Sequence, residues 1–257
     1  MSDPSVVVLP DPAAVAAEAA DRIAAALAGA VAERGRAEWA TTGGSTPVPI
    51  YRLLASSPRR DRVPWEHVHT WWGDDRFDPS TDALSNAAPA REHLLGPLGV
   101  PESHVHAVPA DASLAAGETA DACAARYEAE LRSSGIEAAG GWPVFDLVIV
   151  GIGSDGHLLS VFPGSAAFDR SEWVLGIPAP THIEPHVPRV TLNPRILDVA
   201  RTLLVVVHGT GKATILGDVF GQVRDERRWP AQVARRAGAT WILDAAAAER
   251  LPSKVDG

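Results

Sequence analysis

Short apolar, β-branched runs alternate along this chain with longer alanine-rich stretches of helical periodicity, and few architectures accept that order. Strands are expected at residues 5–9, 38–42, 67–72, 145–150, 173–177, 189–192, 202–207 and 240–243. Helical patterns lie at 12–34, 47–56, 86–94, 112–132, 194–198, 212–220 and 245–250. Strands separated by helices return in the same direction, so the pattern implies an α/β fold: a Rossmann-like three-layer sandwich, with a mainly parallel sheet and helices on both faces. Asp11, Thr46 and Asn193 each precede a proline, which puts a capping-type side chain ahead of a residue suited to the first helical turn. With 257 residues, 46% of them hydrophobic, the chain has the apolar material for one large α/β domain. No linker or internal repeat divides it, and residues 1–257 are read as a single domain. In such sheets ligands sit beyond the carboxyl ends of the strands, where the strand order reverses.

Charge and cysteine content narrow the partners. A net charge of -9 argues against nucleic acid, and it requires the basic groups of any anion site to be few and placed. The one cysteine, Cys123, lies among small and acidic residues of helical pattern, which fits a reducing compartment and not a catalytic thiol. The opening MSDPSVVVLP has no basic-then-apolar leader pattern, and no apolar run approaches the roughly 20 residues that span a bilayer. A cytoplasmic protein without a membrane partner is expected.

Five segments carry chemistry, and each follows an expected strand. TTGGSTP, residues 41–47, is a turn that feeds a helix, where glycines admit a ligand close to the backbone and free N–H groups favour an anion. It lacks the lysine of the nucleotide P-loop, so a single sugar phosphate held by those N–H groups and the hydroxyls of Ser45 and Thr46 fits better than a nucleoside triphosphate. An ordinary strand-to-helix turn has the same composition. WWGDDRF, residues 71–77, sets two carboxylates beside Arg76, and the flanking Trp72 and Phe77 predict partial burial. A buried arginine needs a partner, so a carboxylate-held guanidinium facing an oxyanion or phosphate is expected there.

GIGSDGHLLSVFPG, residues 151–164, matches G-x-G-x-x-G through Gly151, Gly153 and Gly156. A dinucleotide fingerprint needs a full crossover helix after its last glycine, and Pro163 and Gly164 arrive too soon for one. Without a nucleotide role, Asp155 and His157 remain as an acid-base pair at a strand end, although a histidine there is also compatible with an ordinary satisfied side chain. Downstream, Arg189 in PRVTLN and Lys212 in VVVHGTGKATIL are cations near strand ends, each by itself more in keeping with a surface position than with a ligand.

Taken in order, GGSTP, WWGDDRF with Ser85 and Asn86 downstream, GIGSDGHLLSVFPG, PRVTL and HGTGK resemble the 6-phosphogluconolactonase family, part of a wider group with the glucosamine-6-phosphate deaminases. The resemblance covers about residues 6–243. It implies hydrolysis of a small sugar-phosphate partner, 6-phospho-D-glucono-1,5-lactone, to 6-phosphogluconate in the oxidative pentose phosphate pathway, with no metal and no organic cofactor. By the same resemblance His157 is the base that activates water, Arg76 the active-site arginine, and Gly43, Gly44, Ser45 and Thr46 the phosphate loop. Arg189 and Lys212 match the basic positions around the phosphorylated substrate, and Asp155 orients the imidazole or holds a sugar hydroxyl.

The chain departs from the family pattern at two places. Asp75 stands where the family often has a longer glutamate, with Asp78 in place of a valine, and the loop at 181–189 carries His182 and His186 where lysines and prolines are common. The sister deaminases read like D-G-H-I-A-F-N-E-P, and their glutamate completes a proton relay; this chain has Phe162 at that place, which favours lactone hydrolysis. The alternatives are a glucosamine-6-phosphate deaminase or isomerase and a non-catalytic sugar-phosphate sensor, for which no basic helix-turn-helix output segment is found.

Overall fold

In the computed structural model, which describes residues 3–252, the chain runs through twelve strands. These are β1 (Ser5–Leu9), β2 (Ala37–Thr41), β3 (Val68–Trp72), β4 (Asp74–Arg76), β5 (Val105–His106), β6 (Ala138–Ala139), β7 (Trp142–Pro143), β8 (Leu147–Val150), β9 (Val174–Ile177), β10 (Arg189–Leu192), β11 (Thr202–Val207) and β12 (Ala239–Asp244). Seven of them form one sheet in the order β1-β12-β11-β8-β2-β3-β5. Every pairing in it is parallel.

The side-chain alternation of the strands divides the core into two layers, as a sheet covered on both faces requires. Leu147 and Ile149 of β8, Leu204 and Val206 of β11 and Ile242 of β12 pack with Ile23 and Leu27 of helix α1 (Pro12–Arg34) and Ile50 and Leu54 of helix α2 (Pro47–Leu54). Val148, Val150, Val205, Trp241 and Leu243 face the other way, against Tyr127 and Leu131 of the helix Ala120–Ser133 and Leu216 and Val219 of the helix Ala213–Val219. The three-layer α/β expectation therefore holds.

Helix α1 shows how local chemistry sets an element. Asp11 accepts from the Ala14 N–H at 2.8 Å, Pro12 opens the first turn, and Gly35 at φ 77° ends the helix in the left-handed conformation. The other two expected caps differ. Thr46 makes no capping hydrogen bond and is itself helical, while Asn193 accepts from the Arg195 N–H at 3.0 Å in a turn that delays the helix to Ile196–Val199. The single helix expected at 112–132 is two, Ala110–Ala115 and Ala120–Ser133, because Gly117 takes φ 69° and Thr119 starts a new N-terminus by accepting from Ala122. The stretch at 86–94 is an α-turn at Ala87–Ala90 followed by a π-helical turn at Arg91–Leu95.

Residues 173–177 and 189–192 do not join the parallel sheet. With β4 they make a separate antiparallel sheet, β4-β10-β9. The connection from β9 to β10 carries Pro178, Pro180, Pro185 and Pro188 and forms no helix, so β10 returns against β9 without a crossover. Among the described residues no helix is long and apolar enough to cross a membrane.

Candidate active site

The strand order reverses between β2 and β8: β3 and β5 extend the sheet on one side, and β11 and β12 extend it on the other. A cavity of about 390 Å³ opens beyond the carboxyl ends of these strands. Residues 43–46 after β2, Asp74 and Arg76 of β4, Gly151 and His157 after β8, and His208 and Lys212 after β11 line it. The topology thus brings Gly43, Gly44, Ser45, Thr46, Arg76, His157 and Lys212 to one wall-to-wall space from four separate parts of the sequence.

On one side of the cavity, a chain of neutral oxygens holds the arginine. Arg76 Nη1 donates to Asn86 Oδ1 at 3.0 Å and to the Leu84 carbonyl, and Asn86 Nδ2 donates in turn to the Asp74 carbonyl at 2.8 Å. The expected carboxylate-held guanidinium is therefore corrected. Asp75 turns its Oδ1 to the backbone N–H groups of Arg76 at 2.8 Å and Asn86 at 2.7 Å, and Asp74 Oδ2 accepts from Ser160 Oγ at 2.6 Å. Burial pushes the Asp75 carboxyl up to about 7, against the pull of those two N–H groups. Gly43 is what lets Asn86 sit there: a Cβ on residue 43 would lie 1.8 Å from Asn86 Oδ1.

On the opposite side, Lys212 Nζ donates to the Ile152 carbonyl at 2.7 Å. Its burial lowers its pKa, and the Asp155 charge opposes that shift. His208, part of the HGTGK motif but given no role there, stands with Nε2 3.4 Å from Thr46 Oγ1 and adds an imidazole to the loop wall. Asn86 was legible only as part of a motif.

His157 faces the cavity with its Nδ1 turned back to Asp155 Oδ1 at 2.5 Å; its own backbone N–H donates to the same oxygen at 3.1 Å. Asp155 is not a lining residue and acts from behind the ring. Burial works to raise the Asp155 carboxyl, but the hydrogen bond and charge of His157, followed by a hydrogen bond from His182, hold it well below the usual carboxylate range. As a carboxylate it only accepts, so His157 carries its proton on Nδ1 and keeps Nε2 as the basic nitrogen. The Phe162 ring packs 4.8 Å from the imidazole. Residues 156–163 form no helix, in keeping with the exclusion of a dinucleotide fingerprint.

Arg189 does not line the cavity. Paired with Arg76 in the β10–β4 register, it is buried and donates through Nη2 to the Pro185 carbonyl at 2.8 Å, and burial together with the Arg76 charge lowers its pKa. Among the described residues no group of three or more His, Cys, Asp or Glu side chains is arranged to hold a metal ion.

Sequence and structure comparisons match the chain to one family. The family described as glucosamine-6-phosphate isomerases/6-phosphogluconolactonase matches residues 10–242. A 6-phosphogluconolactonase of Synechocystis is 34% identical over 223 residues, 86% of this chain and 88% of that protein. One from Streptomyces coelicolor is 34% identical over 258 residues, 98% of this chain and 97% of the other. The solved 6-phosphogluconolactonase of Trypanosoma cruzi superposes with a TM-score of 0.83 at 29% identity, covering 96% of this chain and 97% of its own.

Proposed function

The chain belongs to the glucosamine-6-phosphate isomerase/6-phosphogluconolactonase family, and from that premise we infer that it hydrolyses 6-phospho-D-glucono-1,5-lactone to 6-phospho-D-gluconate. The observation that carries the reading is the position of His157. Its Nδ1 is committed to Asp155, and its ring faces a cavity whose other walls are the glycine-serine loop, Arg76 and Lys212.

In the proposed reaction the phosphate binds to the N–H and hydroxyl groups of residues 43–46 and to Lys212, which fixes the ring relative to His157. His157 Nε2 removes a proton from water as its oxygen attacks C1. The carbonyl electrons move to the exocyclic oxygen, where Arg76, held rigid by Asn86 and Leu84, stabilises the oxyanion. On collapse the bond from C1 to the ring oxygen breaks, the imidazolium protonates that oxygen, and the new carboxylic acid ionises. Asp155 stabilises the transient imidazolium without leaving its carboxylate form. The apolar Phe162 ring against His157 offers no second carboxylate, which supports hydrolysis over the deaminase reading.

The test is acid release from freshly generated lactone, corrected for spontaneous hydrolysis. His157→Ala should lower kcat by about 10²–10³-fold, and Lys212→Ala should raise KM by about tenfold with a smaller effect on kcat. A His157→Ala protein as fast as the parent overturns the mechanism, and ammonia release from glucosamine 6-phosphate would overturn the substrate.

A further inference from the structure

His182 has no role in the reaction as described, yet it completes the surroundings of Asp155. It sits in the proline-rich loop between β9 and β10, and its Nε2 lies 2.9 Å from Asp155 Oδ2. The other carboxylate oxygen is taken by His157, through the ring Nδ1 at 2.5 Å and the backbone N–H at 3.1 Å. One carboxylate therefore joins two imidazoles, one oxygen to each, and because it only accepts, both nitrogens that face it are protonated. Phe162 packs against both rings, tilted on His157 at 4.8 Å and edge-on to His182 at 5.7 Å.

We propose that His182 is a positioning residue, which holds Asp155 from the side away from His157 so that the base keeps one tautomer and one orientation. The inference rests on His157 being the base of the hydrolysis proposed above. A Cβ at Gly153 would lie 2.6 Å from Asp155 Oδ1 and 2.0 Å from His157 Nδ1, so the main chain packs closely against the pair on the Oδ1 side. On the Oδ2 side the contact is His182.

The coupling has a direction. The N–H of His182 draws on carboxylate charge that would otherwise stabilise a protonated His157, so losing it should raise the pKa of His157 while loosening Asp155. The other charged groups around the pair are Arg76, Asp74, His208 and Lys212 across the cavity, and Glu184 and His186, which pair with each other at 3.1 Å on the His182 loop. None of these groups shares a hydrogen bond or ion pair with His182, whose polar partner is Asp155.

The experiment compares the full-length parent with His182→Phe, which keeps a ring against Phe162, and His182→Gln, which keeps an N–H donor without a titrating group. The His182 side chain is 49% exposed, so neither variant opens the core. Side-chain ¹⁵N NMR of the unliganded protein should show the His157 titration midpoint rising by about half a pH unit or more in His182→Phe and staying within about 0.2 of the parent in His182→Gln. With lactone, kcat should fall about tenfold in His182→Phe with KM within about twofold, and the glutamine variant should recover most of the loss. An unchanged His157 titration in His182→Phe, or equal kcat in all three proteins, overturns the proposal. A shifted titration in a protein whose parent does not hydrolyse the lactone keeps the positioning role and overturns the proposed substrate instead.

Discussion

At the scale of single residues, the site depends on which polar groups are neutral and which are charged. Arg76 is held by a carbonyl and an amide, and so its charge is not spent on a neighbouring carboxylate. Asp75, beside it, is buried and has its carboxyl pushed up to about 7. In the unfolded chain the same group titrates near 3.9. A folded-state pKa above the unfolded one means a contribution to stability that is full below the unfolded pKa and lost as pH rises through about 7. Asp75→Asn keeps an oxygen for the Arg76 and Asn86 N–H groups and cannot ionise. Its stability relative to the parent should therefore increase between pH 5.5 and 8.5, as measured by urea unfolding at both values; a constant difference between the two proteins would refute the assignment. Arg76, His157 and Lys212 were legible in the sequence because each sits in a short motif at a strand end. Arg189 was not, because the direction of its side chain is set by the pairing of β10 with β4, two segments far apart in the chain.

At the scale of elements, most strands and the long helix α1 could be read from periodicity and capping, since these signals are local. The second sheet could not. Whether 173–177 and 189–192 extend the parallel sheet or form their own depends on what the intervening segment becomes, and four prolines there remove the crossover helix without spelling out the antiparallel return. The structure also shows where this small sheet meets the helix Ala120–Ser133. A Cβ on Gly176 of β9 would lie 2.5 Å from the Asp121 nitrogen and 2.7 Å from the Ala120 carbonyl carbon. Backbone on backbone has no rotamer through which to relax, so Gly176→Ala must shift the start of that helix. We expect a loss of about 1–3 kcal/mol in unfolding free energy, of the size seen for overpacking, with the lactone KM little changed because the contact is remote from the cavity. Urea unfolding and steady-state kinetics on the same preparation test both halves of the expectation.

At the scale of the whole molecule, the reversal of strand order that creates the cavity is the least local property of the fold. The sequence implies a parallel sheet with helices on both faces, but not which strand lies at the centre; that follows from pairings such as the Glu38 N–H with Asp146, 108 residues apart at 2.8 Å. The loop after β2, the imidazole after β8 and the lysine after β11 are strangers along the chain and neighbours only in the finished sheet. No fragment that ends before β11 contains Lys212, so the complete site needs the long-range pairings of the finished sheet. Long-range pairing is slow compared with helix formation. After dilution from denaturant, far-ultraviolet ellipticity should recover first and lactone turnover should lag behind it; coincident recovery would mean that the sheet closes in a single step. With turnover lagging, the enzyme carries its own clock, a catalytic site that keeps time for the completion of its fold.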